Sequence, residues 1–240
     1  MTEFDLVTLG EAMAVVRGAD VGPLRPGFAA RLSFAGAEAT VAIAMSRLGH
    51  RAAWCGRLGT DPAGDMILGG LRGEGVDVST VGREPDAPTG LLTRHQRVAG
   101  RTTVTYYRHG QAGSRLAPGD LPGSLLGSAR LLHVTGITPA LGETAARAVA
   151  EAAGLARAAG VTVSFDVNYR SRLWPPGKAG PVLAEHAARH APPANPPSSK
   201  EFQMTDVSRR VFLRRTAAVG GGLLASAALA SAAGRAARHR

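Results

Sequence analysis

The residues best suited to chemistry sit in two short segments. Along Thr102 to His109 the side chains alternate, so in an extended strand Val104, Tyr106 and Arg108 share one face and Tyr107 points away. A guanidinium beside a phenol offers a bidentate grip on a carboxylate next to a hydroxyl that donates or accepts. Along Asp166 to Arg170 (DVNYR), a carboxylate, an amide, a phenol and a guanidinium close an apolar run, Val161 to Val167, that reads as a strand. In an open α/β sheet, ligands bind at the carboxyl edge of such strands. All 3 tyrosines of the chain, Tyr106, Tyr107 and Tyr169, lie in these segments. On the residues alone, a Tyr-Tyr-Arg strand packs with a solvated tip as readily as it binds, and Asp166 caps a turn as readily as it faces a ligand.

The surrounding pattern says what holds those segments. Leu6 to Leu9 is a short apolar run ending at Gly10 and Glu11; Arg51 to Leu58, Val76 to Val81 and Arg130 to Gly136 read as further strands. Helical spacing of Val41, Ala44, Met45 and Leu48 predicts a helix over Ala37 to Leu48, entered through Gly36 and stopped by Gly49. Helices are also expected from Ala63 to about Arg72 and from Gly142 to Ala159. This alternation of strand and helix predicts a parallel sheet covered by helices. Ala12 to Arg17 and Arg31 to Phe34 leave and return in extended form, and Gly90 to Val98 with Thr102 to His109 makes a hairpin around Ala99, Gly100 and Arg101. That hairpin is expected to pair with the early extended segments and not with the main sheet. Beyond Trp174, prolines at 175, 176, 181, 192, 193, 196 and 197 predict at most a short helix around Leu183 to Arg189, then a linker.

In order along the chain stand Gly10 and Glu11, Ala35 to Ala39, Gly49, Gly56 to Asp61 with Gly64, and Gly75 to Asp77. This series resembles the first half of a ribokinase-like (PfkB) sugar kinase. With Tyr106, Tyr107 and Arg108, the segment His133 to Leu141 (HVTGITPAL), and DVNYR followed by Leu173 and Trp174, it is most similar to 2-keto-3-deoxygluconate kinases. The resemblance implies an α/β fold: a ribokinase-like parallel sheet with flanking helices and a small antiparallel β lid (strands about 12–34 and 90–109), truncated on its C-terminal side. It covers roughly residues 5 to 176, giving a partial kinase domain over 1–176, a Pro/Ala-rich linker over 177–203 and a tail over 204–240. It implies a sugar-acid substrate held by Gly36, Thr40, Tyr106, Arg108 and Arg170, with Asn168 and Arg170 near the phosphates of ATP bound with Mg²⁺. An arginine at position 108 suits a keto acid better than a neutral sugar. Such lids often make homodimers.

Departures from the family pattern carry expectations of their own. Thr40 stands where asparagine is usual, Ala35 where a second glycine is usual, and Leu92 where related kinases often have tyrosine. The late Gly-Ala-Gly-Asp turn, which supplies the base and the donors for the developing charge, is absent from the sequence. Ala63-Gly64-Asp65 and Pro118-Gly119-Asp120 resemble its end, but the first reads as a helix start and the second as a loop. The resemblance implies ATP-dependent phosphorylation of 2-keto-3-deoxygluconate or a related sugar acid, and without that turn the chain is expected to be inactive; the alternative is a non-catalytic sugar-acid-binding fragment fused to an export-signal-like tail.

The remaining signals are compositional. Net charge is +10, with +6 in residues 204–240 and +4 in the body. Of the 28 basic residues only Lys178 and Lys200 are lysine, a bias of coding more than of phosphate contact, and no basic stripe with aromatics marks a nucleic-acid site. One cysteine, Cys55, allows no intrachain disulfide, which with the family resemblance gives a cytoplasmic expectation. No GxxxxGK[ST] phosphate loop and no GxGxxG occurs. His186 and His190 have helical metal-ligand spacing but no third ligand, so a solvated linker is expected. Ser208 to Arg214 (SRRVFLR) matches the twin-arginine export motif, and the apolar stretch Ala217 to Leu229 with the small residues Ala230 to Ala232 completes its pattern. Translated from Met204, that segment would engage the export machinery; the alternative is a basic amphipathic tail.

Overall fold

The computed structural model describes residues 3–190 apart from 24 and 99. Four parallel strands form the main sheet in the order β10-β9-β1-β4: β1 (Leu6–Leu9), β4 (Ala52–Cys55), β9 (Leu131–Thr135) and β10 (Thr162–Asp166). Every residue of β1 and β4 is buried, as expected for strands covered on both faces. On one face Val7, Leu9, Leu132 and Val134 pack under α4 (Glu143–Ala158), which presents Ala145, Ala148, Val149, Ala152 and Ala156 at helical spacing. On the other, Leu6, Trp54 and Leu58 meet α1 (Ala37–Arg47) and α2 (Pro62–Gly73) through Ala39, Ala42, Ile67 and Leu71. Asp61 caps α2, accepting from the Gly64 N–H at 2.7 Å and from the Thr89 N–H at 2.6 Å, with Pro62 at the first helical position. The Cys55 thiol is buried on the α4 face and pushed up to about 12, a packing group and no nucleophile.

The lid is a second four-stranded sheet, in the order β3-β2-β7-β8, from β2 (Met13–Val21), β3 (Ala30–Ala35), β7 (Leu91–Val98) and β8 (Arg101–Tyr107). The hairpin does pair with the early segments. Two antiparallel pairs, β2 with β3 and β7 with β8, are joined by a parallel pairing of β2 with β7. That pairing is parallel because both strands leave the body in the same direction, one after β1 and one after Gly90. The lid core is small: Met13, Val15 and Leu92, with Ala35 and Val104 against them. Leu92, where a tyrosine would be usual, fills that core.

A short two-stranded sheet, β5 (Arg57–Gly59) with β6 (Gly82–Glu84), and α3 (Gly123–Gly127) complete the body together with α5 (Pro176–His190). Two expectations are corrected. Val76 to Val81 is not a strand: only Asp77 bridges to Ala53, before a turn leads into β6. The helix after Trp174 is longer than a stretch around 183–189, so residues 177–190 are not linker. Pro175 and Pro176 fit its start, Pro181 leaves one helical bond unmade, and Ala179, Leu183 and His186 bury at spacings of four and three. His186 is therefore not solvated; its ring stacks on Phe165 at 5.7 Å. The rest of the linker, 191–203, and the export-like segment 204–240 lie outside the described residues. Among the described residues no helix is long and apolar enough to cross a membrane.

Candidate active site at the root of the lid

The chain crosses between body and lid four times: through Gly10 to Ala12 after β1, at Gly36 before α1, at Thr89 and Gly90 before β7, and after Tyr107 at the end of β8. These crossings meet at the carboxyl end of the main sheet. Arg108 leaves β8 on the face of Tyr106, as strand alternation predicts, and its guanidinium lies 5.5 Å from the Tyr106 ring centroid. Tyr107 pairs with Leu91 on the opposite face and is 52% exposed.

Arg108 is ion-paired with Glu11, whose side chain is only 2% exposed. A second carboxylate, Glu38 in the first turn of α1, is wholly buried and accepts the hydroxyls of Thr135 at 2.7 Å and Thr138 at 2.8 Å. Burial pushes both carboxyls above the ordinary glutamate range, opposed at Glu11 by the Arg108 charge and at Glu38 chiefly by the threonine hydroxyls. Gly10 is required by this packing, since a Cβ there would land on the Glu38 carboxyl. At Gly36 the backbone is extended, and the need for glycine is one of space: a Cβ would stand 2.5 Å from the Glu11 carbonyl oxygen.

The other expected site residues are placed differently. Thr40 is exposed and its hydroxyl donates to the Gly36 carbonyl at 2.6 Å, one turn back along α1. Asn168 is in the left-handed region with φ +35°, and its N–H donates to the Asp166 carboxylate at 3.0 Å. Asp166 thus caps its own turn. Arg170 is exposed on the segment after β10, and Arg172 ties that segment to the lid by donating to the Val104 carbonyl at 2.7 Å. The Tyr169 hydroxyl donates to the Trp174 carbonyl at 3.3 Å. Gly36, Tyr106 and Arg108 are therefore brought together around Glu11, whereas Asn168 and Arg170 belong to the strap beyond β10. Asp65 and Asp120 are ion-paired with Arg83 and Arg57, each at 2.7 Å, which accords with structural roles.

Glu11, Glu38, Thr135, Thr138 and Arg172 were not singled out as site residues from the sequence. The signal for the two glutamates was there: each is a lone carboxylate in a run of small and apolar residues, Leu9 to Val16 and Ala35 to Ala44, where burial demands a partner.

A parallel sheet with flanking helices and a β lid rooted at its carboxyl end is a ribokinase-like α/β fold. The pfkB family carbohydrate kinase pattern matches residues 3–193, and the chain belongs to that family. It is 44% identical over 172 residues to the 2-dehydro-3-deoxygluconokinase of Thermoproteus tenax, covering 71% of this chain and 52% of the relative. It is also similar to the crystal structure of 2-dehydro-3-deoxygluconokinase from Thermotoga maritima, with TM-score 0.72 and 31% identity, over 77% of this chain and 57% of the other. A fructokinase from Xylella fastidiosa with bound ATP matches with TM-score 0.66 and 26% identity, over 75% of this chain and 58% of the other. The chain spans about half the length of the curated relatives it matches.

Proposed function

We propose that this chain binds a six-carbon keto sugar acid, 2-keto-3-deoxygluconate or a close relative, in the cleft between lid and sheet. Gly36 lets the backbone approach the sugar, Tyr106 and Arg108 meet it from the lid, and Arg170 meets it from the strap. The observation that carries the reading is Arg108, a guanidinium at the lid root on the face of Tyr106, beside a backbone that only glycine fits. Thr40 is the weakest member of the set, its hydroxyl being engaged with the helix. Calorimetry tests the reading: heat is expected with 2-keto-3-deoxygluconate, little with fructose, and none after Arg108→Ala. Equal heats for acid and neutral sugar would overturn it.

The phosphate donor of this reading is ATP. Asn168 and Arg170 are the residues that would meet its phosphates, and the nucleotide would supply the transferable phosphoryl group. Among the described residues no three His, Cys, Asp or Glu are grouped to hold a metal ion, so Mg²⁺ in this reading would be carried chiefly by the phosphates of the nucleotide. With no Gly-Ala-Gly-Asp turn in its sequence, the chain is expected to bind the sugar acid without turnover, and sugar-dependent ADP release by the purified protein would refute that. The same reading makes the protein cytoplasmic and, if the lids associate, a homodimer.

A further inference from the structure

The pair formed by Arg108 and Glu11 is more constrained than an ion pair needs to be. Arg108 stands where the lid's edge strand ends, on a long side chain that has many rotamers unless something fixes it. Glu11 stands on the body side, in the link between β1 and β2, buried and closely packed. A Cβ on Gly113 would lie 2.5 Å from its Cγ, and one on Gly36 would lie 2.5 Å from its carbonyl oxygen. Through Oε2 it takes Nη2 of the arginine. Two buried groups are left over without a hydrogen-bond partner, Nε of Arg108 and Oε1 of Glu11. A donor fixed in place, buried and unpaired is a group awaiting an acceptor.

Building on the sugar-acid reading, we infer that Glu11 is a positioning residue. It fixes the guanidinium of Arg108 so that the remaining donors, Nε first, are presented to the ligand's carboxylate. Glu11 itself makes no contact with the ligand. It acts by removing the rotamer freedom that Arg108 would otherwise lose on binding, and it does so from the body, so that the grip is formed only with the lid seated on its root.

The test uses the full chain and two readouts, one of which needs no ligand. Phenylglyoxal modifies free guanidinium groups, and peptide mass spectrometry reports the rate at each arginine. In Glu11→Gln, which keeps the volume that the surrounding glycines leave, Arg108 is expected to be modified several-fold faster than in the wild type, with the other arginines unchanged. Affinity for 2-keto-3-deoxygluconate is expected to fall roughly tenfold or more. Glu11→Asp, which keeps the charge but retracts it, should fall between. In the double variant with Arg108→Gln the loss should be no greater than for Arg108→Gln alone. An unchanged modification rate at Arg108, or additive losses in the double variant, would overturn the inference. Should Glu11→Gln fail to fold, Glu11→Asp carries the same readouts. Should the wild type give no heat with the sugar acid, the functional reading falls, while the modification rates still decide whether Glu11 fixes Arg108.

Discussion

The main sheet and the lid each have four strands, and they are held by opposite means. The main sheet is buried between two layers of helices, with apolar clusters on both faces. The lid's apolar cluster has only three buried side chains, and the lid leaves Val21, Leu32, Val98 and Tyr107 more than half exposed, at 55%, 64%, 62% and 52%. The sheet is a scaffold whose geometry is over-determined. The lid keeps its place through its root, where Glu11, Arg108 and Gly36 converge, and local opening is cheapest where few apolar contacts oppose it.

The largest difference between scaffold and lid is expected in their cores. Leu132→Ala in β9, at a fully buried side chain, is expected to cost about 2–5 kcal/mol of stability in denaturant melts. Leu92→Ala in the lid should cost clearly less, because a small cluster at an exposed sheet collapses around the loss; equal costs would show that the lid is no looser than the scaffold. Next in size is the root. Gly36→Ala places a methyl against the Glu11 carbonyl, so a loss of about 1–3 kcal/mol is expected, with the sugar-acid heat abolished; a variant that melts and binds like the wild type would remove the root from the account.

Smaller effects are expected at Glu38 and Leu32. Glu38 has its carboxyl raised above the ordinary value of 4.5 by burial. Its neutral form stabilises the fold fully below that value, and the contribution is lost as pH rises through the raised one. Glu38→Gln can still accept the two threonine hydroxyls and does not titrate. Its melting temperature relative to the wild type should therefore rise from pH 5 to pH 8, and a constant gap would show that Glu38 does not titrate in this range. Least affected is Leu32→Ser on the exposed lid surface, expected within about 0.5 kcal/mol of the wild type. If lids pair in solution through that surface, sedimentation of the variant changes while its melting does not.

What was legible from the sequence follows the same division. β1, β4 and β9 announce themselves because their neighbours in sequence are apolar and their burial is decided locally, and β10 follows from an apolar run although it is only partly buried. Tyr106 and Arg108 sharing a face follows from alternation alone. The root was less legible, since Glu11 meets an arginine and Glu38 a threonine each 97 residues away, and no local pattern encodes such a distance. Val76 to Val81 misleads because Val76 and Val78 bury against the helices from an irregular segment. α5 was underestimated because its prolines outweighed the spacing of Ala179, Leu183 and His186, although prolines at a helix start are no obstacle.

The two margins of the main sheet are unlike. Along β4 the outer margin is closed, since the Trp54 N–H donates to the Asp77 carbonyl and the Asp77 N–H to the Ala52 carbonyl, both at 2.9 Å. At the other margin, among the described residues, β10 has β9 on one side and no strand on the other. Main-chain donors and acceptors there form a template for any extended peptide that comes alongside. Among the described residues, therefore, a further strand could join this sheet from one direction only, alongside Thr162 to Asp166.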